Sequence, residues 1–470
     1  DRLNKILAEE GFDPFVEEQC AGFYAKRMGR PSIPPGVYFR FLMVGYFEGI
    51  SSERAIAWRC ADSRSLATFL GYGPTERTPD HSTLSRTRRL IDVETHRKVF
   101  GWILDVLARR GVVRGRTVAS DGSTLEANAA MRSIVRRDDG RSYDEFLEGL
   151  AKESGIESPT REQKAKLDKK RPKKGRNDEW EHPHDPDARI TKMKDGRTHE
   201  AHKIEHATDL DTHAIVGVTI QPADRGDTTS VYETLHEANE HIKNVAPPGT
   251  DEIREVVLDK GYHSNAVLRD MTTMGFRTYI SEPDRGCRRW DGKEAERDAV
   301  YANRRRIRGN RGQQLRKLRG EIVERAFAHC LETGGGRRLH VRRRENVEKR
   351  SLIGAAVHNL SLLMRSLTGF GTPKALQGVS AAAMASVWAL IDVFRRLWAA
   401  IKSTASNSLR IRDPISAPHY GRPRTFLAPF FGLRSEQATF TTGCYGVMAP
   451  RPLDADMPWG AASSSIQDCM

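Results

Sequence analysis

Cysteine is scarce in this sequence and shows no pattern that would put it to use. The six cysteines are Cys20, Cys60, Cys287, Cys330, Cys444 and Cys469. They contain no C-x-x-C pair and no regular spacing, which excludes a zinc ribbon and a disulfide framework as the organising element. A reducing compartment, the cytoplasm, is therefore the expected location.

Long apolar runs are also missing. The most apolar stretch, residues 378–391, stops at Asp392 and is shorter than the roughly 20 residues that span a bilayer. The first residues lack the basic and then apolar pattern of a signal peptide. We therefore expect neither a membrane segment nor a secretory signal.

Acidic residues are outnumbered by basic ones. The 470 residues contain 76 Lys and Arg against 62 Asp and Glu, a formal net charge of +14. This balance favours a polyanionic partner, with nucleic acid first among the candidates, although charge alone does not separate DNA from RNA or an anionic membrane. The length is sufficient for two or three domains with cores of their own.

Residues 1–112 have helical periodicity interrupted by turns. Ser51 or Ser52 is a suitable cap for one helix, and Asp80 is a suitable cap for a later one. The later helix carries the basic residues Arg86, Arg88 and Arg89. This pattern is helix-turn-helix-like and favours a DNA-binding domain. The alternative is a solvated basic face on an ordinary helical bundle.

Short apolar runs begin after Arg114. Four of them predict strands, at 117–119, 214–220, 256–258 and 278–280. Helical patterns at about 228–243 and 263–274 alternate with these runs. Strands that alternate with helices of this length predict an α/β layer whose sheet is at least partly parallel.

A charged segment interrupts this layer, and two helices and a tail follow it. Residues 132–190 are rich in charge and proline, and predict an exposed insertion or flexible loop that either follows a DNA backbone or is a solvated linker. A helix is predicted at about 346–367, and an apolar helix from Thr372 to about 401. The Pro-, Gly- and Ser-rich tail beyond it is expected to be poorly ordered.

Two aspartates follow predicted strands, Asp121 after 117–119 and Asp259 after 256–258. Carboxylates at the carboxyl ends of neighbouring strands can bind hard cations such as Mg²⁺. Two such ions would clamp the attacking and leaving oxygens of a displacement at phosphorus. The alternative, for each aspartate taken alone, is that it is an ordinary turn residue at the end of an apolar run.

A third acid is expected on the helix that follows the basic run 301–320. Glu321 and Glu324 are three residues apart and share one face of that helix, so spacing does not choose between them. Acids in so basic a chain make sense if a divalent metal neutralises them while lysine and arginine hold the DNA backbone.

Several segments resemble bacterial insertion-sequence transposases of the DDE class, which have an RNase H-like catalytic domain. Residues 118–128 (VASDGSTLEAN) resemble the block of the first aspartate, residues 257–264 (VLDKGYHS) that of the second, and residues 323–327 (VERAF) that of the glutamate. Residues 79–86 (PDHSTLSR) resemble the preceding helical domain, and 185–189 (DPDAR) a further shared block. The resemblance covers residues 30 to 370, approximately.

This resemblance implies a metal-binding catalytic triad of Asp121, Asp259 and Glu324, with Mg²⁺ or Mn²⁺ as cofactor and two ions in each active site. It favours Glu324 over Glu321 because the matching acid is followed directly by arginine. Lys260 and Arg325 are then candidates for DNA contacts, together with the arginines of the helical domain. Many relatives have arginine at the position of Gly320 and lysine at the position of Leu331. In this sequence Arg319 and Arg325 lie close to Gly320.

We therefore predict an all-α DNA-binding domain (1–112), an RNase H-like mixed-sheet α/β domain (113–370) with a charged insertion at about 132–190, and a helical C-terminal extension with a disordered tail (371–470). The predicted function is metal-dependent cleavage at insertion-sequence ends and strand transfer into target DNA. The partners are double-stranded DNA and, when two ends are paired, further copies of the chain, at the bacterial nucleoid. The alternatives are a metal-dependent nuclease of the same fold and an inactive repressor that binds terminal repeats.

Overall fold

The chain is seen in a computed structural model that describes residues 2–25, 32–171, 175–193, 196–247, 249–284, 286, 288–375, 386 and 388–398. It divides into two units, Asp1–Val393 and Phe394–Met470. Of the second unit only residues 394–398 are described, and they are helical. The predicted tail lies outside the described residues, as do residues 376–385, 387 and 399–401 of the predicted apolar helix from Thr372 to about 401.

The N-terminal part of the first unit is helical, as predicted. Its helices are α1 (Arg2–Glu9), α2 (Phe12–Cys20), α3 (Pro35–Phe47), α4 (Glu53–Asp62), α5 (Arg64–Phe69), α6 (His81–Leu90) and α7 (Val93–Arg109). Ser52 caps α4 by accepting the Ala55 N–H, and Asp80 caps α6 by accepting the Thr83 N–H at 2.9 Å. Helix α3 is apolar on nearly all sides and buried along most of its length, so it forms the centre of this helical region.

The remaining elements, among the described residues up to Thr368, are eight strands and seven longer helices. The strands are β1 (Thr117–Glu126), β2 (Val135–Arg136), β3 (Trp180–Glu181), β4 (Arg189–Lys192), β5 (Thr198–Asp209), β6 (Ile215–Pro222), β7 (Glu255–Leu258) and β8 (Arg277–Ile280). The helices are α8 (Tyr143–Glu153), α9 (Arg161–Lys170), α10 (Asp227–Val245), α11 (Asn265–Thr273), α12 (Glu294–Arg308), α13 (Asn310–Phe327) and α14 (Arg344–Thr368).

The main sheet is mixed. Strand β5 pairs antiparallel with β1 on one side and with β4 and β6 on the other, and β1, β7 and β8 continue the sheet in parallel. Because β1 and β6 are both antiparallel to β5, they run in the same direction as each other and as β7. The carboxyl ends of β6, β1 and β7 therefore lie at one edge of the sheet. The predicted partly parallel α/β layer is confirmed.

Strand β5 was not predicted, since its sequence is mostly polar. Its central residues are buried on both faces of the sheet, and they include Lys203, Glu205 and His206. Buried charges of this kind are stable only when other groups satisfy them. For Lys203 and Glu205 those groups come from α10, far away in sequence.

The charged segment 132–190, predicted as an exposed insertion or a flexible loop, is folded where the structure describes it. Trp180 is buried with Ile134 and Ile190 in a small apolar cluster of its own, and Tyr143 and Phe146 from α8 pack on its ring. Both α8 and α9 begin with a capping box. Lys173 and Lys174 of this segment lie outside the described residues.

Helix α14 joins the helical region to the sheet. It packs against α7 and β6, and its Asn359 side chain bonds both the N–H and the carbonyl of Ile215. Asp185 and Asp187 accept the N–H groups of Arg343 and Arg344 at its start, at 2.9 and 3.0 Å. These N–H groups have no partner within the helix, so the 185–189 block caps α14.

No helix among the described residues has the length and apolar character needed to cross a bilayer. The predicted absence of a membrane segment at 378–391 falls largely on residues outside the described part.

Candidate active site

Asp121 lies in the middle of the longest parallel strand, which corrects the prediction that it ends a strand. Strand β1 continues for five residues beyond it, to Glu126. The pairing of β1 with β7, however, stops at Ala119 opposite Val257. Asp121 therefore extends past the end of its parallel neighbour, at the same edge of the sheet that the sequence predicted.

Asp259 follows the last residue of β7 directly, as predicted. It begins the 3-10 turn Lys260–Tyr262, and its Oδ1 accepts the Gly261 N–H at 2.7 Å. This bond fixes the side chain against the turn and leaves Oδ2 without a hydrogen bond from the described residues. Its charge is close enough to Asp121 to act on the ionisation of that residue.

The carboxylate of Asp121 is partly removed from water, and burial raises its pKa above the ordinary value. The Arg319 guanidinium and the Gly122 N–H oppose this shift, while the negative charges of Asp259 and Asp227 add to it. Two further acids thus act on Asp121 at short range. Mutual repulsion of this kind is relieved when a cation binds between the carboxylates.

Arg319 on α13 supplies the cation that Asp121 has in this structure. Its Nη2 donates to Asp121 Oδ2 at 2.6 Å, and its side chain is largely buried. Arg319 is the residue before Gly320, at which many of the similar transposases have arginine. Arg319, the neighbouring residue, thus places a guanidinium beside Asp121.

Asp227 was missed by the sequence prediction. It is the first residue of α10, which follows β6, and β6 ends at the same sheet edge as β1 and β7. A Cβ placed on Gly261 would lie 2.8 Å from Asp227 Oδ2 and 3.0 Å from Asp259 Oδ1. The two carboxylate oxygens are therefore no farther apart than the sum of these distances. Asp227 lies five residues beyond the end of β6, and Asp224 comes before it, so the rule used for Asp121 and Asp259 does not single it out.

The buried side chain of Lys203 holds Asp227 in position. Lys203 Nζ donates to Asp227 Oδ1 at 2.6 Å and to Ser230 Oγ at 2.8 Å, and it forms an ion pair with Glu205 at 2.9 Å. Glu205 is fully buried and also accepts hydrogen bonds from Thr234 and Tyr262. This network fixes the position of Asp227 from the opposite face of β1.

Glu324 lies on α13, one and a half turns beyond Arg319, with an exposed side chain. Within the described part it makes no side-chain hydrogen bond or ion pair. Glu321, the alternative, is exposed and paired with Arg325 at 2.6 Å. The assignment of the third acid to Glu324 therefore remains a prediction.

The donor chemistry of this edge fits a hard divalent cation, since Asp121, Asp227 and Asp259 present only carboxylate oxygens. No group of three or more Asp, Glu, His or Cys side chains among the described residues is already arranged around one point as a metal site.

The predicted DNA-contacting residues fall into two groups. Arg86 and Arg89 are exposed on α6 and bond only to their own helix, and Lys260 is exposed beside Asp259. Arg88 is mostly buried and paired with Glu53 at 2.6 Å, and Arg325 is paired with Glu321. The first group is available to a phosphate backbone, whereas the second already has carboxylate partners.

The basic run at 301–320 serves partly as structure. Arg304 pairs with Glu282, Arg306 donates to the carbonyl and hydroxyl of Thr278, and Arg311 pairs with Glu255. These bonds fasten α12 and α13 to β7 and β8. Arg305, Arg308, Arg316 and Lys317 remain exposed, so positive charge persists on this side of the site.

A mixed sheet with three acids at one edge, covered by helices rich in arginine, defines the class of RNase H-like enzymes that act on nucleic acids. Residues 160–360 match the family model described as the transposase DDE domain, and residues 1–90 match the model described as a transposase domain (DUF772). The two matches together cover more than half of the chain and confirm the resemblance found in the sequence. The chain belongs to the insertion-sequence transposases of the DDE class.

Asp121 lies between the two matched ranges, while Asp227, Asp259 and Glu324 lie inside the DDE match. Comparison with curated proteins and with solved structures returned no match. The family assignment therefore rests on the two family models, and the individual roles of the site residues remain predictions.

Proposed function

We propose that this transposase cleaves DNA at the ends of its insertion sequence and transfers the freed 3′ ends into target DNA. The observation that carries the proposal is the position of Asp121 and Asp259 at the edge where β1 and β7 cease to pair. Both reactions are in-line displacements at phosphorus, so a single site can serve both.

DDE transposase domains generally use divalent metal ions. We assign Asp121, Asp259 and Glu324 as the residues that hold Mg²⁺ or Mn²⁺ here, with two ions in each site. The metal, when bound, activates water and neutralises charge on the phosphate. The Asp121 oxygen that is now bonded to Arg319 would then bind the metal. The Arg319 guanidinium would be free to hold a DNA phosphate beside the reacting group.

We assign double-stranded DNA, as terminal repeat and as target, to the exposed basic residues Arg86, Arg89 and Lys260. Arg86 and Arg89 lie on the capped helix α6 within the DUF772 match, and Lys260 adjoins Asp259. Two element ends must be held together during transposition, so the active form is a homo-oligomer. In a bacterial cell this activity takes place at the nucleoid.

The test is incubation of the full chain with a labelled duplex carrying the element's terminal repeat, a target plasmid and Mg²⁺. Labelled ends joined to the plasmid are the expected result. Nicks without joining would support a metal-dependent nuclease, and binding without cleavage would support an inactive repeat-binding repressor. Either result would contradict strand transfer.

The third acid is tested in the same reaction by a matched pair of variants on one helix. Glu324→Gln should abolish cleavage and joining, while Glu321→Gln should retain both, because only Glu324 matches the family block. Full activity of Glu324→Gln together with loss in Glu321→Gln would reverse the assignment.

A further inference from the structure

We propose that Asp227 is a further metal-binding acid of this site, additional to Asp121, Asp259 and Glu324, and that Lys203 orients it. The inference rests on the proposed metal-dependent function, but it concerns a residue that neither the sequence motifs nor the family blocks indicated. It follows from the positions of Asp227 and Asp259 and from the charge of the residues around them.

The first argument is the space between the two carboxylates. Gly261 separates Asp227 from Asp259, and any side chain there would meet both, at 2.8 Å from Asp227 Oδ2 and 3.0 Å from Asp259 Oδ1. Both oxygens thus face the same small volume above the backbone of residue 261. A volume bounded by two carboxylate oxygens and closed to side chains suits a small cation.

The second argument is the orientation of the Asp227 carboxylate. Its Oδ1 is bonded to Lys203, whose Nζ is itself fixed by Ser230 and Glu205. Its Oδ2 has no hydrogen bond from the described residues and points towards the Asp259 turn. One oxygen is therefore held by the protein and the other is free for a ligand, which is the usual arrangement of an oriented metal ligand.

The third argument is charge. Among the described residues, Lys203 and Arg319 form the ion pairs with Asp121, Asp227 and Glu205, and Lys260 adjoins Asp259 with an exposed side chain. Negative charge exceeds positive charge among these residues, and the excess grows when Arg319 leaves Asp121.

Metal binding by the full chain without DNA tests the proposal apart from activity. Calorimetric titration with Mn²⁺ should show at least a tenfold weaker affinity for Asp227→Asn than for the unmodified chain. Asp224→Asn is the matched control, since Asp224 is an exposed acid three residues earlier with only a 3.9 Å contact to Arg189. Its Mn²⁺ affinity should be unchanged.

Metal preference gives a second readout that a structural role would not alter. Asp227→Cys should lose Mg²⁺-dependent cleavage and regain it with Mn²⁺ or Cd²⁺, because a thiolate binds these softer ions and not Mg²⁺. Asp224→Cys should respond to the metals as the unmodified chain does. Thermal unfolding of each variant monitors folding.

Equal Mn²⁺ affinity of folded Asp227→Asn and the unmodified chain would overturn the proposal, as would an Asp227→Cys variant with unchanged Mg²⁺ dependence. If Asp227→Asn fails to fold, Asp227→Cys provides the deciding measurement. If the unmodified chain binds Mn²⁺ through Asp227 but transfers no strand, the metal site stands and the proposed strand transfer fails.

Discussion

The ionisation of Glu200 lowers the free energy of unfolding of this transposase as pH rises. An acid in an ordinary ion pair has the opposite effect. It lies on β5 with 1% of its surface exposed, and neither carboxylate oxygen has a hydrogen-bond partner among the described residues. Burial raises the pKa of Glu200 to about 7, and the negative charge of Asp185 adds to the shift, while Arg189 and Arg137 oppose it.

The sign follows from proton binding. The unfolded chain loses the Glu200 proton near the ordinary pKa of 4.5, whereas the folded chain keeps it until about pH 7. The folded state therefore binds more protons between these values, and its free energy of unfolding falls as pH rises through this window. At 1.36 kcal/mol for each pKa unit, the loss is about 3 kcal/mol by pH 8.

Glu200→Gln removes the ionisation and preserves the shape. We compare the free energies of unfolding of the variant and the unmodified chain, measured in urea. From the shift above, we expect the difference in favour of the variant to be about 3 kcal/mol larger at pH 8 than at pH 4.5. Glu252→Gln, at an exposed position, serves as control and should show the pH dependence of the unmodified chain. A stability difference between Glu200→Gln and the unmodified chain that is equal at both pH values would refute this reasoning.

Two further predictions concern the site and its support. Gly261→Ala should weaken Mn²⁺ binding at least tenfold in calorimetry, because the added methyl group would enter the space between Asp227 and Asp259; unchanged affinity would contradict the geometry. Asp187→Ala should lower the free energy of unfolding in urea by about 1 kcal/mol, the typical value of a helix cap, since it leaves the Arg344 N–H without its acceptor. No change in stability would show that the 185–189 block does not cap α14.

The sequence predicted the elements whose local pattern determines their structure. Apolar runs located β6, β7 and β8, and capping residues such as Asp80 located the helix starts of the N-terminal region. Asp259 was placed correctly because its strand ends where the apolar run ends. In each case the signal lies within a few residues of the element.

Features that depend on distant partners could not be predicted in this way. Strand β5 reads as a polar segment, and its burial depends on α10 side chains that receive Lys203 and Glu205. Strand β1 continues beyond Asp121 because β5 pairs with it as far as Glu126. The fold of the insertion depends on Trp180 meeting α8, more than 25 residues earlier in the chain.

The site shows the same division. Asp121 and Asp259 were found from strand patterns and resemblance, while Asp227 became visible only with the strand order, which brings the end of β6 beside β1 and β7. The ion pair of Arg319 with Asp121 likewise joins residues 198 positions apart. The arginine absent from position 320 could be noted in the sequence, but the contact of Arg319 with Asp121 could be identified only in space.

The central claim is that the acids at this sheet edge carry out metal-dependent DNA cleavage. Its most direct test is single-turnover cleavage of the labelled terminal-repeat duplex by Asp121→Asn, with DNA binding measured in parallel. We predict a loss in rate of at least a thousandfold, on the order of 4 kcal/mol in transition-state stabilisation, with DNA affinity unchanged. Cleavage by Asp121→Asn at the rate of the unmodified chain would contradict the account.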